Sequence, residues 1–371
     1  MRPGLLILAQ SGRMLAASAR RAGYVPLVVD RFADRDTRHL APVCVPVADF
    51  RAETLAKVAL DLIERHRPVG WLYGAGVDAM LDLVQTLASR CPLYGNDAAV
   101  LRQCLDPARF FPLLDRLGIA YPPVRWTPPA ESGWLHKCGG CGGMGVRRWC
   151  GGDWNGKGYF QKWMPGDVFT LAFLADGTGL SWHGFNTLHH TSYNARLPFL
   201  FAGAVNRARL PRRLADRVVA AARRLVRALG LRGLHGLDFM VTDREVFVLE
   251  LNPRPGAALD LWDSAWHGGG VGAHVRACRG GRPPAARRVP VKGMQIVYAP
   301  GDGRVDRSWR WPGWCADLPA PGSSVTRGEP LCTVFATGTT VAQVEDTLMR
   351  RLRWLERQFQ DQRKIIEVET E

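Results

Sequence analysis

The chain has 371 residues, of which 47% are hydrophobic and 22% are charged, and its formal net charge is +15. This apolar content excludes disorder over the whole length, and no uninterrupted apolar run approaches the roughly 20 residues of a membrane-spanning helix. Arginine supplies 43 of the 49 basic residues and is spread along the chain, with no basic run that alternates with aromatic residues. We therefore expect a globular protein with an anionic small-molecule substrate, and neither nucleic acid nor a membrane as a partner.

Nine cysteines are scattered through the sequence at irregular spacing. An odd number without a repeating pattern argues against the disulfide framework of a small secreted protein. The apolar stretch at residues 5–9 is shorter than the core of a signal peptide and fits a first β-strand better. We therefore expect a reduced, cytoplasmic protein.

Strands and helices alternate through the first hundred residues. Apolar runs predict strands at 5–9, 25–30, 43–47 and 70–76, and helical spacing of apolar residues predicts helices at 13–22 and 53–65. This order predicts a small parallel α/β sheet of Rossmann type. No Gly-x-Gly-x-x-Gly fingerprint follows the first strand. Without that fingerprint, Asp30 at the end of the second strand is not sufficient evidence for a dinucleotide-binding site. A structural or substrate-presenting domain is the better interpretation.

A glycine-rich loop follows a predicted helix at 101–117 and a short strand at 134–137. Residues 138–145 contain five glycines in eight positions, directly after Lys137. A run of accessible backbone N–H groups beside a lysine can cradle a phosphate, although the Walker A pattern is absent. A flexible surface loop is the alternative.

Two cysteines of this loop, Cys138 and Cys141, form a Cys-x-x-Cys pattern. Half a zinc site and a redox pair are the functional interpretations of such a pair. No second pair at ligand spacing completes a zinc site, so small residues without either role are the alternative that we favour.

A β-hairpin carrying acidic residues is predicted further along the chain. Residues 237–241 alternate like a strand, 242–245 form a turn, and 246–252 return. Glu250 and Asn252 are two residues apart and therefore share a face, which Asp238 on the partner strand can also face. Hard oxygen ligands of this kind suit Mg²⁺. The alternative is that the two acids are paired with local arginines.

Taken in chain order, these pieces resemble the ATP-grasp superfamily. The matching elements are the α/β region, Lys137 before the glycine loop, a hinge strand at 159–166, and the hairpin that ends Glu250-x-Asn252-x-Arg254. The tail, with predicted strands at 292–299 and 328–338 and a helix at 343–360, is similar to that of the biotin-carboxylase-related ATP-grasp ligases. That group includes tyramine–glutamate ligases and ATP-grasp proteins linked to methanofuran and tetrahydromethanopterin synthesis.

The resemblance implies a mixed α/β and α+β architecture, the ATP-grasp fold. We expect a Rossmann-like preATP-grasp domain at 1–100, an ATP-grasp domain at 101–270, and a small C-terminal β-rich segment with a helix at 285–371. Some amino-acid ligases of the superfamily carry an arginine two residues before the metal-binding aspartate, where this sequence has Gly236. The resemblance therefore leaves Arg254 as the candidate to stabilise either phosphate or a tetrahedral oxyanion.

The resemblance also implies roles for individual residues. Lys137 and Arg254 would be catalytic, with Lys137 on the α- and β-phosphates of ATP. The residues implied around the nucleotide are the loop glycines Gly139, Gly140, Gly142, Gly143 and Gly145, the adenine-slot residues Gln161, Lys162, Trp163 and Met164, and Asp167 for the ribose. Asp238, Glu250 and Asn252 would hold Mg²⁺, with Mn²⁺ as an alternative metal.

The implied activity is that of a carboxylate–amine ligase that works through an acyl phosphate and releases ADP and phosphate. The resemblance suggests addition of an amino acid such as glutamate during coenzyme synthesis, and it leaves a homodimer open. Residues 182–190 and the loop at 194–203, together with Trp262, Trp266 and His267, are candidates to line the substrate pocket. For His189 and His190, we favour surface or strand histidines over a catalytic role. The alternatives are a carboxylase-like enzyme that uses bicarbonate and a non-catalytic ATP-binding protein.

Overall fold

A parallel sheet flanked by helices forms the N-terminal part of the computed structural model, which describes residues 2–139, 142–190, 197–243, 245–360 and 366–367. Its elements are β1 (Gly4–Ala9), α1 (Arg13–Arg21), β2 (Val25–Asp30), α2 (Arg35–Leu40), β3 (Val43–Pro46), α3 (Ala52–His66), β4 (Trp71–Tyr73) and α4 (Leu81–Ala88). The strands pair in parallel in the order β3-β2-β1-β4. The predicted parallel α/β sheet is therefore confirmed, and its strands are apolar because both faces are covered.

Two helices, α5 (Ala98–Leu105) and α6 (Pro107–Arg116), occupy the stretch for which the sequence predicts one helix. The single helix is wrong because Pro107 has no backbone N–H to continue α5 and instead begins α6. The Asp106 carboxylate accepts a hydrogen bond from the Ala108 N–H at 2.9 Å and caps the new helix.

A small antiparallel sheet carries the glycine loop. Its strands are β5 (Val124–Arg125), β6 (Trp134–Lys137), β7 (Val146–Trp149) and β8 (Tyr159–Lys162), in the order β5-β8-β6-β7. The predicted strand before the loop is confirmed residue for residue. The predicted hinge strand ends at Lys162, four residues earlier than expected.

A large antiparallel sheet follows and incorporates most of the C-terminal tail. Its elements and neighbours are β9 (Asp167–Asp176), β10 (Leu180–His190), β11 (Phe201–Ala208), α7 (Arg212–Leu229), β12 (Arg232–Val241), β13 (Val246–Asn252), α8 (Leu259–Trp262), a 3-10 turn (Asp263–Ala265), α9 (Gly269–Cys278), β14 (Val291–Tyr298), β15 (Gly303–Val305), β16 (Cys315–Ala316), β17 (Ser324–Val325), β18 (Pro330–Gly338), α10 (Val341–Gln360) and β19 (Ile366–Glu367). The strand order is β13-β12-β9-β10-β11-β14-β18-β16.

The C-terminal strands thus extend the large sheet instead of standing apart from it. β14 pairs with β11, and β18 pairs with β14 over most of its length. Only β15, β17 and β19 form a separate small sheet. The division into domains at the predicted boundaries stays a prediction. In the parts of the chain that the structure describes, no helix is both long and apolar enough to cross a membrane.

The two faces of the large sheet have different neighbours, and this decides where the candidate site lies. One face packs Phe169, Phe173 and Phe239 against α5, α6 and α7. The opposite face packs Leu174 and Leu234 with residues of α1, α8 and α9 and with β1. Side chains alternate between these faces along each strand, so the second face looks toward the N-terminal sheet.

Candidate active site

A β-bulge in the hairpin of β12 and β13 brings the predicted acidic residues together. Phe239 pairs with Val248, but the next residue back, Asp238, pairs with Glu250. Leu249 is therefore an extra residue on β13 that changes which face the rest of the strand presents. If β13 continued in regular register past Val248, Leu249 would pair with Asp238 and Glu250 with the buried Leu237. The bulge turns Glu250 to the same side as Asp238.

Hydrogen bonds connect the side chains that converge there. Asn252 Nδ2 donates to Asp238 Oδ2 at 3.1 Å and to Glu250 Oε1 at 3.4 Å. The Thr170 hydroxyl donates to the other oxygen of Asp238. Threonine at this position, directly opposite Asp238 on β9, is not among the residues predicted from the sequence.

Electrostatics at this cluster favour a bound cation. Burial raises the pKa of Asp238 well above its usual range, and the nearby Glu250 carboxylate raises it further. Two carboxylates that destabilise each other's charge gain from a divalent cation between them. Among the described residues no group of three or more His, Cys, Asp and Glu is arranged for a metal. The candidate metal ligands are two carboxylates, which suit Mg²⁺, beside the amide of Asn252, whose Nδ2 faces the acids and whose Oδ1 accepts from Arg254.

Lys137 lies across from this cluster at the end of β6. Burial lowers the pKa of its ammonium group, while Glu250 and Asp238 act to raise it. The structure thus brings the lysine of the glycine loop into the field of the two acids. A lysine opposed to two acids is an arrangement that can hold a phosphate bridged by a metal ion.

The face of the small sheet that carries Lys137 also carries the buried amide of Gln161, whose Nε2 has no hydrogen-bond partner among the described residues. Lys137 pairs with Tyr159 and Leu135 pairs with Gln161, so all four side chains lie on one side of the sheet. Gln161 is only 1% exposed, and no described residue accepts a hydrogen bond from its Nε2. A buried donor of this kind costs free energy until a ligand satisfies it. A nucleobase in the predicted adenine slot would do so.

The glycine loop is folded back against the large sheet. Gly142 and Gly143 have φ of +60° and +83°, which favour glycine, and the Gly142 carbonyl accepts a hydrogen bond from the Phe201 N–H at 2.8 Å. A Cβ on Gly143 would lie 1.9 Å from the Phe199 carbonyl oxygen, and one on Gly145 would lie 1.4 Å from that of Gly139. Glycine is therefore required for this packing. Gly140 and Cys141 lie outside the described residues.

The alternatives for the cysteine pair stay predictions. Cys138 is an exposed free thiol whose Sγ lies 3.5 Å from the Gly145 carbonyl. Its sequence partner Cys141 is not among the residues described.

Other predicted nucleotide residues are not gathered with the cluster. The Lys162 ammonium lies over the Trp134 ring at 5.1 Å, on the opposite face of the small sheet from Gln161. Trp163 is 40% exposed and lies under the Arg148 guanidinium at 5.0 Å, and Met164 is half-buried beside it.

Asp167 is exposed at the start of β9 and pairs with Val241. It is an odd number of residues from Thr170, so it points away from the face that carries Asp238. The structure does not bring Asp167 to the candidate metal residues. Asp30 is likewise committed elsewhere, because its carboxylate accepts hydrogen bonds from the Gly12 and Ala33 N–H groups.

Arg254 is held by a residue that the sequence analysis missed. Its Nε donates to Asp78 Oδ2 at 2.7 Å, and its Nη2 donates to Asn252 Oδ1 at 3.2 Å. Asp78 follows the Gly74–Gly76 turn at the carboxyl end of β4. Ligand-binding residues collect at the carboxyl ends of parallel strands, and this position is the signal that could have found it.

The predicted substrate-pocket residues are divided between surface and core. Trp262 and Trp266 are each 4% exposed and belong to the core, so the expectation that they face a substrate is wrong. His183 packs edge-on against Trp266 with ring centroids 4.2 Å apart, and burial lowers its pKa to about 3. Trp182 and His190 are exposed on β10, and His267 is exposed after the 3-10 turn.

Comparison with known proteins decides the classification of this site. Residues 108–258 match the family model described as the ATP-grasp domain. The chain contains an ATP-grasp domain. The matched residues span Lys137, the glycine loop, Gln161 and the hairpin with its bulge. The predicted superfamily is thereby confirmed, and none of the curated proteins matches the sequence.

Solved structures extend the ATP-grasp likeness over nearly the whole chain. The biotin carboxylase domain of 2-oxoglutarate carboxylase from Hydrogenobacter thermophilus has 13% identity and a TM-score of 0.77, over 95% of this chain and 90% of that one. N5-carboxyaminoimidazole ribonucleotide synthetase from Thermotoga maritima has 14% identity and a TM-score of 0.69, over 95% and 98%. L-amino acid ligase from Bacillus licheniformis has 14% identity and a TM-score of 0.70, over 95% and 98%. These values show a shared fold, and the predicted ATP-grasp fold is confirmed.

Proposed function

We propose that this protein is an ATP-dependent ligase that joins a carboxylate to an amine. The observation that carries the proposal is the convergence of Lys137, Asp238, Glu250 and Asn252 within an ATP-grasp domain. ATP with Mg²⁺ supplies the phosphoryl group that activates the carboxylate as an acyl phosphate, from which the amine displaces phosphate to form an amide. The residues fit these groups, since the acids need a cation and Gln161 needs an acceptor.

The side chains of the site have distinct tasks in this proposal. Asp238, Glu250 and the amide of Asn252 hold the metal ion, and Lys137 neutralises charge on the phosphates. The glycine loop covers the phosphates with backbone N–H groups and limits the access of water. Arg254 stabilises negative charge on the phosphoryl group during its transfer, or on the tetrahedral oxyanion that forms when the amine attacks the acyl phosphate.

The substrate is proposed more specifically from the resemblance of the tail. An amino acid such as glutamate is the added group, and the acceptor belongs to the synthesis of a one-carbon coenzyme of the methanofuran or tetrahydromethanopterin type. The fold similarity to an L-amino acid ligase supports an amino acid as one substrate. A homodimer is part of the proposal, because the similar biotin carboxylase domain is described as a dimer.

The test is a search for nucleotide and amide products by mass spectrometry. The protein is incubated with ATP and Mg²⁺ against amino acids combined with furan and pterin acceptors. We expect ADP and a product of mass equal to the two substrates minus water. Glu250→Gln and Lys137→Ala should lower the rate by about 100-fold or more. The matched controls Glu245→Gln and Lys157→Ala change exposed residues of the same types and should leave the rate unchanged.

A carboxylase-like reaction with bicarbonate is the second candidate. It is favoured by the bicarbonate anion in the structure of the similar biotin carboxylase domain. Bicarbonate-dependent release of ADP without any amide product would replace the ligase proposal with this one. Binding of ATP without turnover under every condition would support a non-catalytic nucleotide-binding protein, and a failure to bind ATP would overturn the nucleotide site itself.

A further inference from the structure

Two side chains of the N-terminal part reach the segment that follows β13. The first is Asn96, whose Nδ2 donates to the Pro253 carbonyl at 2.8 Å and whose Oδ1 accepts from the Arg232 N–H at 3.0 Å. Its own backbone N–H and carbonyl are both bonded to the Tyr73 hydroxyl. Asn96 therefore anchors the backbone directly before Arg254, but it does not orient the guanidinium group.

Asp78 orients that group. Its Oδ1 accepts the Gly76 N–H at 2.9 Å, which fixes the carboxylate within its own turn, and its Oδ2 accepts Arg254 Nε at 2.7 Å. The side chains of Asp78 and Arg254 are 5% and 10% exposed. A buried pair of this kind has good geometry and little competition from water, so it holds the long arginine side chain in one conformation.

The other end of the guanidinium group contacts a candidate metal ligand. Arg254 Nη2 donates to Asn252 Oδ1, and Asn252 Nδ2 in turn donates to both acids of the cluster. A continuous chain of hydrogen bonds thus runs from a turn of the parallel sheet, through Asp78 and Arg254, to the candidate metal site. Partners of this outer layer commonly fix the orientation of the groups that they support.

We propose that Asp78 is a positioning residue that acts through Arg254 and makes assembly of the active site depend on docking of the N-terminal sheet. The inference rests on the proposed function for the role of Arg254, and on the geometry for the role of Asp78. Under this proposal the α/β region takes part in the reaction by positioning Arg254, in addition to a structural or substrate-presenting role.

A second buried ion pair across the same boundary provides a matched control. Arg13 of α1 donates to Asp260 of α8 at 2.5 Å, and the two side chains are 11% and 13% exposed. Asp260 is six residues beyond Arg254, and its pair joins the same two regions of the chain. Within the described residues, the ion pairs of Arg13 are with Asp36, Asp260 and Asp317, and none of these is a candidate metal residue. If the variants acted only by weakening the docking of the N-terminal sheet, breaking either ion pair would change kcat in the same way.

The experiment compares Asp78→Ala, the more conservative Asp78→Asn, and Asp260→Asn. We expect the Asp78 variants to lose kcat by about 10- to 100-fold, the range for lost supporting residues, with the KM for ATP changed much less. Asp260→Asn should lower the melting temperature without lowering kcat. The double variant Asp78→Ala/Arg254→Ala should be no slower than Arg254→Ala alone, because Asp78 acts only through the arginine. Unchanged kcat in Asp78→Ala, or losses that multiply in the double variant, would overturn the proposal.

A measurement without turnover separates this inference from the proposed function. In protein labelled with ¹⁵N-arginine, the Nε–H resonance of Arg254 is assigned by its loss in Arg254→Lys. It should exchange slowly with solvent in the wild type and in Asp260→Asn, and rapidly in Asp78→Ala. Equal exchange rates in the wild type and Asp78→Ala would refute the role of Asp78 even if no substrate is turned over. If no substrate is turned over but the exchange rates differ as expected, the result would argue against the proposed ligase function and would still support the role of Asp78.

Discussion

Asp34 should make the stability of the protein depend on pH. It stands at the N-terminus of α2, is 9% exposed, and makes no capping hydrogen bond with its side chain. Burial raises its pKa from 3.8 to about 8, assisted by the carboxylates of Asp317, Asp30 and Asp36 and opposed by Arg13. Asp34→Asn keeps the shape and the capping preference of the side chain but removes its titration.

The sign follows from the proton that the folded state retains. Between pH 3.8 and about 8, Asp34 is protonated when folded and ionised when unfolded, so the free energy of unfolding falls as pH rises through this interval. The contribution of Asp34 to the free energy of unfolding is fully present below pH 3.8 and is lost above about pH 8. At 1.36 kcal/mol per pKa unit, the loss between about pH 5 and about pH 8 is on the order of 4 kcal/mol.

The assay is urea denaturation of the wild type and Asp34→Asn, followed by tryptophan fluorescence from about pH 5 to about pH 8. We expect the variant to gain stability relative to the wild type steadily across this range, by roughly 4 kcal/mol. Taking the difference cancels titrations common to both proteins. The control Asp82→Asn, at an exposed position of α4, should show a flat difference. A flat difference for Asp34→Asn would refute the argument, since it would mean that Asp34 ionises normally in the folded protein.

Three further predictions concern the candidate active site. Deleting Leu249 gives β13 a regular ladder that still pairs Glu250 with Asp238, so Mg²⁺ affinity by calorimetry should be retained; a large loss of affinity would show that the bulge itself is needed to orient Glu250. Gly143→Ala should slow turnover of ATP because its Cβ meets a backbone carbonyl, whereas Gly151→Ala, with the same positive φ but open space, should not; equal rates would contradict this. Gln161→Leu should weaken ATP binding while leaving the free energy of unfolding equal or higher, because a buried donor without a partner is removed; a stability loss with unchanged binding would contradict that assignment.

Local patterns predicted the pieces of the site correctly. The strand that ends at Lys137 is fixed by a short apolar and aromatic run followed by glycines, and the hairpin of β12 and β13 by two β-rich runs around a polar turn. Each depends on residues near in the chain, which is why the sequence alone suffices. The boundary between α5 and α6 could also have been predicted, because Pro107 marks it. The apolar pattern that continues across Pro107 led instead to the prediction of one helix.

The alternation of side chains along a strand separates two of the predicted residues from the candidate metal residues. Lys162 and Asp167 are near in sequence to groups that line the site, yet each is placed on the opposite face of its strand. The C-terminal segment was predicted to be β-rich, and the structure adds that β14 and β18 extend the large sheet. Pairing partners distant in the chain cannot be deduced from a strand pattern alone, because any exposed edge can accept one.

The sequence by itself determined the order of strands and helices, the glycine loop with its lysine, and the three residues expected to hold a metal. Only the tertiary structure decided that these residues meet. The β-bulge that leaves Leu249 unpaired sets the register that places Glu250 beside Asp238, and docking of the N-terminal sheet places Asp78 on Arg254. Both depend on which backbone groups pair across space, and that choice is governed by burial of the whole sheet, not by the preferences of neighbouring residues.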